Sequence, residues 1–100
     1  MPTYRNMLTD AMKSHNETWD DVEQLNVRKT HGYGPEEPYY FYGHLLDEEI
    51  DTGLGGINGP LVTMWTHKRV YFGACYDGAE WIESAPRYPC DEIVEHIGGG

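Results

Sequence analysis

The dipeptide Asp77-Gly78 constrains the fold most, because it stands between two β-rich segments of this 100-residue chain. A two-residue type I′ turn needs positive φ at both central positions, and Asn, Asp and Gly tolerate this best. We therefore predict a β-hairpin closed at this dipeptide. Its register gives three cross-strand pairs: Tyr76 with Ala79, Ala74 with Trp81, and Phe72 with Glu83.

A further strand precedes this hairpin, so that residues from about 61 to 86 form a meander. We expect the chain to turn near His67-Lys68, although neither residue has the usual turn chemistry. This turn places Trp65 opposite Val70 and Leu61 opposite Ala74. Strand alternation then divides the side chains into two faces. We expect the first face to be the core; it comprises Leu61, Trp65, Val70, Phe72, Ala74 and Trp81. We expect the second face to need a cover; it comprises Val62, Met64, Tyr71, Gly73 and Ile82.

The N-terminal segment has the spacing of a short amphipathic helix that could supply this cover. Its apolar residues recur every three or four positions, after a potential N-cap at Thr3, and the helix should end between Lys13 and Asn16. They are Tyr4, Met7, Leu8, Ala11 and Met12.

The middle of the chain is harder to interpret. Leu25 and Val27 alternate with polar residues, which weakly indicates a strand, and Tyr39–Tyr42 has high β propensity. Residues 45–51 fit either helical turns or a strand, and Asp91–His96 fits one helical turn with Ile93, Val94 and Ile97 as its apolar edge. We predict a single α+β domain over residues 1–100: an antiparallel sheet of four to five strands covered by the N-terminal helix.

The acidic balance narrows the possible partners. Seventeen acidic against seven basic residues give a net charge of −10, and the acidic residues occur in short clusters along the chain. Such a charge repels nucleic acid and anionic membranes but attracts basic protein surfaces. The N-terminus lacks a signal-peptide pattern and no apolar run could span a membrane, which favours a cytoplasmic protein.

No pattern of catalytic or cofactor-binding residues stands out. The five histidines form no local ligand pair, and Cys75 and Cys90 lie beside acids that disfavour a thiolate. The glycine-rich stretch at 53–60 lacks the Lys-Ser/Thr of a phosphate loop. We therefore expect no enzyme activity, cofactor or metal. We expect Cys75 and Cys90 to be free thiols, with a disulfide between them as the alternative. The ending Gly98-Gly99-Gly100 is shared with ubiquitin-like modifiers and sulfur carriers, which leaves that function as one alternative.

The remaining interpretation is a binding protein whose acids and rings dock onto a basic protein surface, such as that of a nucleic-acid-binding enzyme. In size, acidity and lack of catalytic motif, the chain is similar to small phage and plasmid proteins that block restriction or CRISPR systems. It would then act in the cytoplasm of the host. A small phage or accessory assembly protein is the other alternative. The candidate partner-binding residues are Asp47, Glu48, Glu49 and Asp51, then Asp20, Asp21 and Glu23, with Trp19, Tyr40 and Tyr42 as aromatic anchors.

Overall fold

The computed structural model describes residues 3–28, 43–49, 59–76 and 78–97. One helix and four strands make up its regular framework, with two short 3₁₀ helices, Trp19–Asp21 and Gly43–Asp47. The elements are α1 (Tyr4–Lys13), β1 (Val22–Arg28), β2 (Leu61–Thr66), β3 (Arg69–Tyr76) and β4 (Ala79–Pro86). The predicted α+β architecture, a helix on an antiparallel sheet, is confirmed.

The four strands form one antiparallel sheet in sequence order, β1-β2-β3-β4. The register across β3 and β4 contains all three pairs expected from the Asp77-Gly78 hairpin, and Gly78 has a positive φ of 83°. Trp65 also lies opposite Val70, as predicted. The described pairing of β2 with β3 stops at Thr63 and Phe72, so it does not reach the expected pair of Leu61 with Ala74.

The turn between β2 and β3 lies at His67-Lys68 and depends on a neighbouring side chain. The Thr66 hydroxyl oxygen accepts hydrogen bonds from the backbone N–H groups of Lys68, at 3.2 Å, and Arg69, at 3.0 Å. A Ser or Thr hydroxyl can replace a backbone acceptor in this way. Thr66 therefore supplies the turn chemistry that His67 and Lys68 lack.

The core lies on the opposite face of the sheet from the one predicted. Along β2, Val62, Met64 and Thr66 are buried, whereas Leu61 and Trp65 are half-exposed. Helix α1 packs on the buried face through Tyr4, Leu8 and Met12. The expectation that α1 covers the second face is confirmed, and the assignment of the first face as the core is wrong. Of that first face only Ala74 is buried; Leu61, Trp65, Val70, Phe72 and Trp81 are half-exposed.

Two buried carboxylates fasten α1 to the sheet. Near the start of the helix, the Tyr4 hydroxyl donates to Glu80 Oε1 at 2.7 Å. Beyond its end, the Tyr71 hydroxyl donates to Glu17 Oε1 at 2.6 Å, and the Thr66 hydroxyl donates to the same oxygen at 3.0 Å. Burial, and then the carboxylate that each phenol meets, raises the pKa of Tyr4 and of Tyr71 above the ordinary value.

The ends of α1 have identifiable signals. The Thr3 hydroxyl caps the first turn by accepting from Asn6 N–H at 3.2 Å. After the last turn, Asn16 adopts a left-handed φ of 59°, and the N–H of Glu17 donates to Met12 C=O at 2.9 Å. These bonds, with Asn16 N–H to Lys13 C=O, make a Schellman motif. The motif turns the chain so that Glu17 reaches the sheet.

Four weaker predictions have different outcomes. The strand signal at Leu25 and Val27 is confirmed by β1, and residues 45–51 include a helical turn within Gly43–Asp47. The helical turn at Asp91–His96 is wrong, because residues 91–97 have no regular structure and leave Ile93 89% exposed. Tyr39–Tyr42 lies outside the described residues.

Candidate binding groove

A groove open to solvent lies between α1, the two 3₁₀ helices and the start of β1, and it encloses about 310 Å³. We call it the Trp19 groove. It is lined by Arg5, Trp19, Val22, Glu23, Gln24, Leu25 and Leu46. Two of these, Trp19 and Glu23, are residues that the sequence singled out for partner binding.

Trp19 is held in a fixed orientation at this groove. Its indole Nε1–H donates to the Thr9 hydroxyl oxygen at 2.9 Å, and the Thr9 hydroxyl in turn donates to the Arg5 carbonyl at 2.7 Å. The ring also packs against the edge of the hydrophobic core. Because both its polar and its apolar parts are anchored, the ring gives the groove a rigid aromatic wall.

Arg5 joins Trp19 to Asp47, the first residue of the acidic stretch 47–51. Its guanidinium carbon lies 5.4 Å from the centroid of the Trp19 ring, a distance typical of a cation–π contact. Its Nε and Nη2 donate to the two carboxylate oxygens of Asp47. The hydrogen bonds from Arg5 hold the pKa of Asp47 below its ordinary value, and the same bonds raise the pKa of Arg5. The two side chains remain 43% and 58% exposed, so the pair lies at the surface.

Glu23 holds a second ion pair at this groove. Its carboxylate accepts from Arg87 Nη1 at 2.7 Å, and His67 Nδ1 lies 3.8 Å from it. Glu23 is also the residue at which the β1–β2 register shifts, between Val22 and Gln24. A β-bulge of this kind redirects a side chain out of the regular alternation.

The other candidate acids differ in how they are used. Asp21 accepts from the backbone N–H of Thr18 at 2.8 Å and so caps the first 3₁₀ helix. Asp20, Glu48 and Glu49 are exposed and make no ion pair or side-chain hydrogen bond among the described residues. Of the candidate acids that the structure describes, only Glu23 lines the Trp19 groove, and Asp47 is joined to it by its bonds with Arg5. Asp20, Glu48 and Glu49 directly follow Trp19 and Asp47 in the chain, and we call these five acids the acidic border of the groove. The remaining candidates, Asp51, Tyr40 and Tyr42, lie outside the described residues.

Sequence reasoning missed the aliphatic residues of the groove and the two cations that pair with its acids, Arg5 and Arg87. In the sequence, Arg5 is only a charge on the polar face of a helix, and nothing near Arg87 marks it for binding. Their carboxylate partners are 42 and 64 positions away, which no local pattern reveals. Leu46 was also missed, because a single buried leucine inside an acidic stretch carries no specific signal.

Other sites in the described part of the chain offer less chemistry. No group of three or more His, Cys, Asp or Glu side chains is arranged to hold a metal there. Cys75 and Cys90 are both free thiols. A second cavity, of about 270 Å³, lies beside Tyr4, Phe72, Cys75 and Glu80. None of the described helices is both long and apolar enough to cross a membrane.

Comparison with known proteins gives no independent indication of function. No protein-family model matches the chain, and neither the curated proteins nor the solved structures include a match. A functional proposal for this chain therefore depends on the geometry of the Trp19 groove.

Proposed function

We propose that this protein is a non-enzymatic binding protein that docks the acidic border of the Trp19 groove onto a basic protein surface. The supporting observation is that Arg5 joins Asp47 to Trp19 at a groove that Glu23 also lines, so acids and an oriented aromatic wall lie together. The partner is a nucleic-acid-binding protein whose basic surface the carboxylates occupy in place of phosphates. The protein would then be an inhibitor of the anti-restriction or anti-CRISPR type, encoded by a virus and acting in the cytoplasm of its host.

The distribution of charge around the groove supports this proposal. Asp20, Glu48 and Glu49 are exposed and unpaired within the described residues, so a partner's cations can approach them without breaking an internal bond. Long-range attraction to such groups speeds association, while a buried aromatic anchor slows dissociation. The groove offers both kinds of contact within one surface.

The test compares two triple variants with the same net charge. D20N/E48Q/E49Q neutralises the three unpaired acids that follow Trp19 and Asp47 in the chain, whereas D10N/D91N/E95Q neutralises three exposed acids elsewhere. Octalysine serves as the basic probe, with affinity measured by calorimetry. We expect the first variant to lose much more affinity than the second, and binding to weaken as salt shortens the Debye length from about 30 Å to about 8 Å.

Two results would contradict the proposal. Equal losses in both variants would show that only net charge matters, and binding indifferent to salt would show that charge does not drive the encounter. If the difference is found, the next assay is competition. The protein should displace a DNA duplex from a restriction endonuclease, and the D20N/E48Q/E49Q variant should displace it less well.

A second candidate function is supported by the C-terminal segment. Ile93, Val94 and Ile97 are exposed apolar side chains, and contiguous exposed apolar surface commonly marks an interaction site. This favours an accessory protein that assembles through apolar contacts. Light scattering distinguishes the two functions, because assembly of this kind should persist in high salt and be lost in I93S/V94S.

A further inference from the structure

We infer that the Trp19 groove recognises arginine in preference to lysine, and that Arg5 occupies the position of the partner's arginine in the free protein. This inference rests on the proposed function, because it names the side chain by which a basic partner would be recognised. It starts from the fact that the groove already holds a guanidinium group, that of Arg5, between Trp19 and Asp47.

The contacts of Arg5 are ones that a lysine cannot reproduce. Two N–H groups of its guanidinium meet the two oxygens of the Asp47 carboxylate, while the guanidinium carbon lies 5.4 Å from the centroid of the Trp19 ring. A planar guanidinium can stack and form paired bonds together, whereas an ammonium is a strongly hydrated point charge. The site therefore discriminates by shape as well as by charge.

The groove also has room for a second side chain beside Arg5. The free volume of about 310 Å³ is bordered by Val22, Leu25 and Leu46, which suit the apolar stem of an arginine. Glu23 lies at the same groove and can approach its charged end. An incoming arginine would thus lie against apolar side chains in a groove that Trp19 also lines.

Exchange of one arginine for another is feasible because the internal pair is at the surface. The Arg5 and Asp47 side chains are 43% and 58% exposed, and exposed ion pairs contribute little to stability. The incoming guanidinium restores the bonds to Asp47 that Arg5 gives up. A competitor that fills a site about nine-tenths of the time lowers the apparent affinity about tenfold. Removing Arg5 should therefore strengthen binding.

The experiment titrates the protein with octaarginine and with octalysine at equal ionic strength. Binding is followed by NMR through the indole N–H signals of the three tryptophans, so the response of Trp19 is separated from those of Trp65 and Trp81. We expect octaarginine to bind more tightly than octalysine, because only a guanidinium can pair with both oxygens of Asp47 while it faces the Trp19 ring. The largest shift should be at Trp19.

Matched variants distinguish recognition from simple charge. R5A and R28A each remove one positive charge, but only R5A empties the groove; R5A should bind octaarginine about tenfold more tightly, and R28A should not. D47N and D91N each remove one negative charge, and only D47N should abolish the preference for arginine. Circular dichroism of each variant establishes that it is folded.

The outcomes separate this inference from the proposed function. Equal, salt-sensitive binding of both peptides would overturn arginine selection while leaving the acidic docking surface supported. An equal gain in R5A and R28A would assign the effect to net charge and also overturn the inference. Failure of the wild-type protein to bind either peptide would overturn the proposed function itself.

Discussion

The buried contact between Glu17 and Tyr71 should be one of the strongest single links between α1 and the sheet. Tyr71 is fully buried and Glu17 is 7% exposed, so neither group can exchange its partner for bulk water. E17A leaves the Tyr71 hydroxyl without an acceptor among the described residues, whereas Thr66 keeps its bonds to the turn. An orphaned buried hydroxyl and a lost bond to a charged group together cost about 3 kcal/mol.

The double-mutant cycle of E17A and Y71F isolates this contact. Y71F keeps the ring but leaves the carboxylate with the Thr66 hydroxyl as its remaining donor among the described residues, which should also cost about 2–3 kcal/mol. The double variant removes both orphaned groups, so it should be more stable than the sum of the single losses implies, by about 2 kcal/mol.

Urea unfolding monitored by tryptophan fluorescence gives each free energy of unfolding. Y88F is the control, because the exposed Tyr88 hydroxyl makes no hydrogen bond among the described residues, and its cost should be within about 0.5 kcal/mol. A coupling energy between Glu17 and Tyr71 below about 0.5 kcal/mol would refute the reasoning, since independent sites add within that margin.

Three further predictions concern stability. G59A should destabilise the protein by about 1–3 kcal/mol in urea unfolding, because a Cβ at residue 59 would lie 2.2 Å from Cε1 of Tyr4; wild-type stability would contradict this clash. T3A should cost about 1 kcal/mol by the same assay through loss of the α1 cap, and T63A serves as a Thr→Ala control outside the helix. The raised pKa of Tyr71 keeps its hydroxyl protonated in the folded state at a pH where the unfolded chain ionises. The contribution of Tyr71 to the free energy of unfolding should therefore be present in full below about pH 10 and fall above it. Unfolding of wild type and Y71F across alkaline pH checks this, and an equally steep fall in both would exclude Tyr71 as the cause.

The local signals in the sequence were sufficient for the hairpin and the helix. Asp77-Gly78 defines the register of the hairpin through turn geometry. Thr3, three residues before Asn6, is a usable cap for the helix. Both features depend on residues close together in the chain, so neither requires knowledge of the tertiary fold. This explains why the pairing of β3 with β4 was predictable residue by residue.

The choice of core face could not be made in the same way. Both faces of the meander are apolar, and the face with Trp65 and Phe72 has the larger rings. The actual core is decided by where α1 docks, which depends on Glu17 meeting Tyr71 across 54 positions and Tyr4 meeting Glu80 across 76. Hydrophobicity alone does not encode such long-range polar contacts.

The candidate site was predictable only in part, because local composition identifies neighbours in the chain but not contacts between distant residues. Trp19 stands beside acids in the sequence, so local composition identified that acidic cluster and the acidic cluster that contains Asp47. Arg5, which connects them, is distant from both along the chain. The helical turn expected at residues 91–96 was wrong because its apolar side chains stay exposed, and a single isolated turn is unstable in water.

The two buried hydrogen bonds that hold α1 on the sheet also determine when the protein can fold during its synthesis. Tyr4 and Glu17 are made early, but their partners Glu80 and Tyr71 leave the ribosome much later. At about 5–20 residues per second, the helix spends several seconds without the sheet that stabilises it. The apolar side of α1 is therefore a natural target for chaperones in the nascent chain, until β3 and β4 have emerged.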